Sequence, residues 1–199
     1  ECTVITKNGL VSKVTVDMGK AELAAELFLT KDPVRAQALA AELCEQNKLR
    51  QNEENKILEQ TLTRLRREYN PLEDKIIVLA GEGWHQGVIG IVCSRLCDRY
   101  GCPVVLISVD EDGVGKGSGR SIGSFNLFEA LTSCEDLFER YGGHALAAGL
   151  TVQADRIEEL RTRLRKYAET HVTMAELVPQ LHIDCMVQSE WLTQENIES

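Results

Sequence analysis

Hydrophobic and polar positions change period several times along the chain, and each change marks an element. Residues 1–17 alternate loosely around Asn8-Gly9, a turn dipeptide between β-branched runs, which reads as a small hairpin or as a frayed beginning. From Met18 to Leu29 the alanines with Leu23 and Leu27 fall on one face at helical spacing. Asp32-Pro33 then reads as a helix start, with the aspartate as N-cap and proline at the first helical position, where no N–H is needed. Nothing breaks that helix before Asn70-Pro71. At about 1.5 Å per residue it spans roughly 50 Å. Its ends are amphipathic (Leu39, Leu43; Leu58, Leu62, Leu65), whereas Glu45 to Lys56 carry Leu49 as their one large apolar residue. A helix polar all round at its centre predicts a connector packed only at its two ends.

Beyond it the period shortens. Lys75 to Gly81 encloses IIVLA, a buried strand, and IVCSRLCDRY after Gly90 is helical. Val104 to Val109 is a second buried strand, so strand, helix and strand predict a parallel crossover. Asp110-Glu111-Asp112-Gly113 is a turn leading into a glycine-interrupted loop or strand, Gly115 to Ser121. Phe125 to Tyr141 reads as helix, Leu150 to Val152 as a short strand, and Asp155 as the cap of a charged helix reaching about His171. The fold class expected is α/β, a mixed and partly parallel sheet flanked by helices and preceded by a long connector helix. The divisions expected are 1–31, a remnant of a preceding region; the connector, 32–70; the sheet domain, 73–171; and the opening of another unit, 178–199.

Composition narrows the function classes. With 27% charged and 43% hydrophobic residues in 199, the balance is that of a soluble globular protein, and no apolar run approaches the roughly 20 residues of a membrane span. A cytoplasmic protein is expected. The net charge of −9 excludes broad electrostatic wrapping of nucleic acid. The excess acid lies after the long helix: acids and bases number 11 and 11 in residues 1–72, 11 and 6 in 73–150, and 9 and 5 in 151–199. A focused anion site remains open. Seven cysteines, without a CxxC pair, predict buried free thiols rather than disulfides or a zinc site.

Candidate chemistry concentrates between Gly115 and Gly149. GKGSGRS offers Lys116, the hydroxyls of Ser118 and Ser121, and the forked donor Arg120, with no acid between Gly113 and Ser124. Glycines without a Cβ let backbone N–H groups approach an anion. Gly142-Gly143-His144, followed by small residues, reads as a tight turn or helix start that would direct N–H groups outward. It reads equally as a helix C-cap and turn, with Arg120 an ordinary surface residue. GWHQGVIG places Trp84 and His85 at the carboxyl end of a strand, the usual ligand position in α/β sheets. The competing reading has Trp84 closing the core and His85 capping the helix.

The series GWHQGVIGIVCSRL, GKGSGRS with FNLFEAL, and ERYGGHALAAG resembles the DHH-associated substrate-binding domain of the RecJ family, single-strand-specific 5′→3′ DNA exonucleases of the DHH phosphodiesterase superfamily. The likeness covers about Leu23 to Ala168. It implies that Ser118 and Arg120 grip a 5′-terminal or backbone phosphate. It also implies that Gly142, Gly143 and the catalytic His144 meet the scissile phosphate, with Ser121, Lys116 and His85 assisting and Arg50 or Lys48 of the connector near the nucleotide end. The family's Asp-His-His half is absent, so no metal site is expected in this chain, Mn²⁺ or Mg²⁺ is expected on the missing domain, and the fragment alone is expected to be inactive. The last stretch, from 178, is similar to the start of an OB-like domain. The resemblance further implies single-stranded DNA as ligand, a single-strand-binding protein or helicase as partner, a monomer, and a role in bacterial DNA repair and recombination. An oligoribonuclease or cyclic-dinucleotide phosphodiesterase of the same superfamily, or a non-catalytic RNA-binding module, remain the alternatives.

Overall fold

The computed structural model describes residues 2–5, 11–14, 21–71, 73–123, 125–173, 186 and 191. The stretch read as the start of an OB-like unit lies almost wholly outside them, as does Asn8-Gly9. The strands flanking that dipeptide, β1 (Cys2–Ile5) and β2 (Val11–Val14), do pair antiparallel. Helix α1 (Ala21–Leu29) folds back on the first half of α2 (Pro33–Glu68), where Ala24, Leu27, Leu39 and Leu43 form a small separate core. Asp32 caps α2 as expected, accepting from the Val34 amide at 3.0 Å. The helix stops at the extended Tyr69, just ahead of Asn70-Pro71.

A five-stranded sheet in the order β3-β4-β5-β7-β6 forms the centre. Strands β3 (Ile77–Glu82) and β4 (Val104–Val109) are parallel and joined through α3 (Ile89–Tyr100); all the other pairings are antiparallel. This is the mixed α/β arrangement that the pattern predicts. Strands β5 (Val114–Arg120), β6 (Phe138–His144) and β7 (Ala147–Gln153) complete it, with α4 (Leu127–Thr132) and α5 (Ile157–His171) packed on the face opposite α3. Among the described residues no helix is long and apolar enough to cross a membrane.

Two expectations fail instructively. The helix foreseen from Phe125 to Tyr141 is only α4, capped by Asn126 through the Glu129 amide, followed by a short 3-10 turn and then β6. Phe138 and Tyr141 pack against each other, with ring centroids 5.4 Å apart, and the gain from pairing with β7 overrides the local helical pattern. The centre of α2, foreseen as polar all round, instead buries charge. Arg50 and Glu54 are only 5% and 8% exposed. Their side chains meet at 2.7 Å, Arg50 Nε donates to Asn47, and the second Glu54 oxygen accepts from Arg95 of α3 at 2.8 Å. The connector is therefore locked to the sheet domain in its middle as well as at its end, where Ile57 and Leu65 enter the main core. Arginines also cover the free edge of β3: Arg64 of α2 donates to the Ala80 carbonyl and Arg161 of α5 to that of Val78.

Cys93, Cys97, Cys102 and Cys134 are buried free thiols, in line with their apolar surroundings. Burial pushes the Cys93 and Cys102 thiols up to about 12 and that of Cys97 up to about 11.

Glu54→Ala should lower unfolding free energy by about 3 kcal/mol in denaturant titration, because it strands a buried guanidinium. Glu26→Ala, which removes the exposed partner of Arg35, should scarcely move the midpoint. The thiols give a pH signature. Their contribution to stability is fully present below the unfolded value near 9.0 and is lost as pH rises toward 11–12, since only the unfolded chain ionises them easily. Unfolding free energy should fall above pH 9 by up to about 1.4 kcal/mol per unit for each thiol, and substituting Cys93, Cys97 and Cys102 should flatten that slope.

Candidate nucleic-acid interface

The glycines of GKGSGRS lie in a regular strand, the second of the two readings of this stretch, so they do not cradle a phosphate as a loop would. β5 is paired on both sides, to β4 and β7, so its amides are committed to ladders. What the glycines provide is room on one face. A Cβ at Gly115 would lie 2.8 Å from Ile107 Cγ2, at Gly117 2.7 Å from Leu150 Cδ1, and at Gly119 2.7 Å from Leu127 Cδ2. Every second residue is thus flattened against the core beneath α4 and α5. Side chains alternate across a strand, so Lys116, Ser118 and Arg120 all emerge on the other face.

Gly142, Gly143 and His144 are likewise strand, not a turn or helix start. They form the end of edge strand β6 and pair with Gly149, Ala148 and Ala147. Register then builds three rows across β5, β7 and β6 on the open face: Arg120, Ala147, His144; Ser118, Gly149, Gly142; and Lys116, Thr151, Arg140. Successive rows are two residues, roughly 7 Å, apart, and the outer members of a row are two strand spacings, roughly 10 Å, apart. Lys116, Arg140, Gly142, His144 and Gly149 are exposed.

The two adjacent glycines of β6 differ in their reasons. Gly143 sits at φ +149°, and a Cβ there would run into the Ala147 carbonyl oxygen. Gly142 would place a Cβ in open space. Packing within the fold requires Gly143 and leaves Gly142 unexplained.

Arg120 is held from behind, its Nη1 donating to the Gly119 carbonyl at 2.8 Å and to the Ser118 hydroxyl at 3.3 Å, beside Gly90 at the start of α3. Among the described residues, no carboxylate pairs with Lys116, Arg120 or Arg140. Those are three of the six cations between residues 73 and 150, gathered on one face of an acidic chain. Arg140 escaped the sequence reading because it was assigned to a helix; its pairing with Thr151 exists only once β6 does.

Other foreseen residues fall elsewhere. Ser121 lies past the strand, and its hydroxyl donates to the Phe125 carbonyl at 2.8 Å, so it ties the loop instead of facing a ligand. Arg50 is spent in the buried ion pair with Glu54, which corrects its reading as a nucleotide contact, and Lys48 lies exposed beside Glu45. Trp84 is core, its indole donating to Gln60, as the competing reading has it; His85 accepts the Gly87 amide within the turn ahead of α3, whose N-terminus has no side-chain cap. His85 also lines a cleft of about 1140 Å³ between α2 and the sheet, shared with Lys116. That cleft carries Glu53, Glu82, Asp110 and Glu111 against Lys56 and Lys116. It is the larger concavity, but its charge repels polyanions, whereas the open sheet face attracts them. Among the described residues no three His, Cys, Asp or Glu side chains come together to hold an ion, so the groups present do not fit a metal.

Known proteins share this geometry. The DHHA1 domain family matches residues 73–170. The single-stranded-DNA-specific exonuclease RecJ of Bacillus subtilis strain 168 is 38% identical over 179 residues, 89% of this chain and 22% of that protein. The Thermus thermophilus RecJ is 37% identical over 169 residues, 82% of this chain and 24% of its own length. The crystal structure of RecJ in complex with Mn²⁺ from Thermus thermophilus superposes with a TM-score of 0.70 at 39% identity, covering 77% of this chain and 22% of that one. A crystal structure of exonuclease RecJ bound to manganese gives 0.68 at 37%, covering 80% and 40%. The chain thus spans about a quarter of the length of the curated relatives it matches. It belongs to the DHHA1 family through residues 73–170, as a RecJ-like member of it.

Proposed function

We propose that this chain is the substrate-gripping part of a metal-dependent 5′→3′ single-stranded-DNA exonuclease that acts in DNA repair and recombination. One observation carries the reading: Ser118, Arg120, Gly142 and His144 share an open sheet face on which the cations lack acidic partners among the described residues. The connector helix would join this face to a metal-holding domain elsewhere in the longer protein, where Mn²⁺ or Mg²⁺ would activate the attacking water. The residues here would do the rest. Arg120, preorganised by Ser118 and the Gly119 carbonyl, would present its remaining N–H groups as a fork to the 5′-phosphate. Across the row, His144 would donate to an oxygen of the scissile phosphate as its charge grows, and Gly142 would let the strand lie close against the backbone. Lys116 and His85 border this path from the cleft side. The proposal extends to a cytoplasmic bacterial monomer that meets single-strand-binding protein or a helicase. A small-nucleotide phosphodiesterase would use the same face, but the likeness to proteins named as single-stranded-DNA exonucleases favours the DNA strand.

In the full-length protein, His144→Ala should lower kcat on 5′-phosphorylated single-stranded DNA by roughly 10²-fold or more, as for a lost transition-state donor. Arg120→Ala should chiefly raise KM for strands bearing a 5′-phosphate, and Arg120→Lys should already be harmful, since lysine keeps the charge but loses the planar fork. A drop in melting temperature with activity per folded molecule intact would mean that these side chains only hold the fold.

The paired glycines make a sharper test. Gly143→Ala should cost about 2 kcal/mol or more of stability through strain and collision with the backbone of β7. Gly142→Ala should leave the melting temperature within a few degrees of the parent while weakening strand binding. Equal stability losses in the two variants would remove the evidence for a ligand at Gly142.

A further inference from the structure

The foreseen phosphate contacts occupy two of the three rows on the open face, and the third is chemically of the same kind. Lys116, Thr151 and Arg140 stand opposite one another across β5, β7 and β6. They surround a shallow hollow of about 390 Å³ whose floor includes Gly142 and Gly149. Two cations and a hydroxyl, none with a side-chain partner among the described residues, stand over a floor lacking side chains and make a complementary site for a tetrahedral dianion or a phosphodiester. The adjacent acidic cleft supplies the contrast that confines an anion to the sheet face.

We propose that Lys116, Thr151 and Arg140 form a second phosphate subsite, which holds a phosphodiester of the strand beyond the scissile one. This rests on the reading of the Arg120 and His144 row as the place of the first two phosphates. The third row lies four residues, roughly 13 Å, further along the strands. A dinucleotide held at the first row therefore falls short of it, whereas a tetranucleotide has backbone left to reach. The subsite would make affinity grow with strand length over the first few nucleotides, and it would set a preference for strands over single nucleotides.

The test uses the full-length protein with divalent metal chelated, so that nothing is cleaved, and measures dissociation constants for 5′-phosphorylated thymidine di- and tetranucleotides. In Arg140→Ala the affinity advantage of the tetranucleotide over the dinucleotide should shrink about tenfold. The slope of log affinity against log salt for the tetranucleotide should become shallower by about 0.7, the value of one single-strand phosphate contact. Arg140→Lys should keep most of the slope, since a point charge suffices there. Because Arg140 is exposed on an edge strand, its loss should not unfold the domain, and the melting temperature checks this. An unchanged length advantage with an unchanged salt slope would overturn the subsite. If Arg120→Ala also leaves both oligonucleotides bound as before, the reading of the whole face fails, which separates the two failures.

Discussion

The structure depends on β5 being a strand with two incompatible faces. It lies inside the sheet, hydrogen-bonded to β4 and β7, with its glycines pressed on Ile107, Leu150 and Leu127. Any side chain larger than hydrogen at those positions would push the sheet away from the helices below, and overpacking of this kind typically costs about 1–3 kcal/mol. The alternate positions face away from that core and are free to be charged. Strand period alone therefore converts the sequence GKGSGRS into an apolar underside and a polar upper face, and β7 and β6 extend that upper face outward with small residues.

The outer face stays open at β7 and β6 because α3 is short and lies over β4 and β5, with Cys93 donating to the Ser118 carbonyl. Its first turn reaches Gly90, beside Ser118 and Arg120, and so walls one flank of the face without covering it. α2 closes the far side of α3 through the Glu54 carboxylate, which joins Arg50 of its own helix to Arg95 of α3. Buried ion pairs of this type add little net stability over an apolar contact, yet they penalise misplacement heavily. Their place in the middle of a long helix fixes the register of the connector against the domain, which matters if the helix sets the distance between two halves of a longer protein.

Much of this was legible in the residues. The parallel β3-α3-β4 unit follows from two short apolar runs flanking an amphipathic helix, and the limits of α2 follow from Asp32-Pro33 and Asn70-Pro71. What failed was long-range. Nothing local in FERYGGH states that it will pair with AAGLTVQ, because cross-strand pairing is a relation between two segments and its gain appears only when both are in place. Missing β6 turned Gly142 and His144 into a turn and hid Arg140 in a supposed helix. The residue types of the site could be named from sequence, but the rows that bring them together could not. Arg50 illustrates the reverse error: a lone arginine in a polar stretch looks like a surface contact until its partner one turn on, and a third residue on another helix, bury it.

The central claim is that the nucleic-acid strand lies on the open β5, β7 and β6 face and not in the larger acidic cleft beside it. Titrating the isotope-labelled protein with a 5′-phosphorylated oligothymidine and following amide chemical shifts tests this directly. Shifts concentrated on Lys116, Ser118, Arg120, Arg140, Gly142, His144, Gly149 and Thr151, with Glu53, Glu82 and Asp110 unmoved, are the predicted result. Shifts centred on the cleft residues, with the sheet face silent, would contradict it.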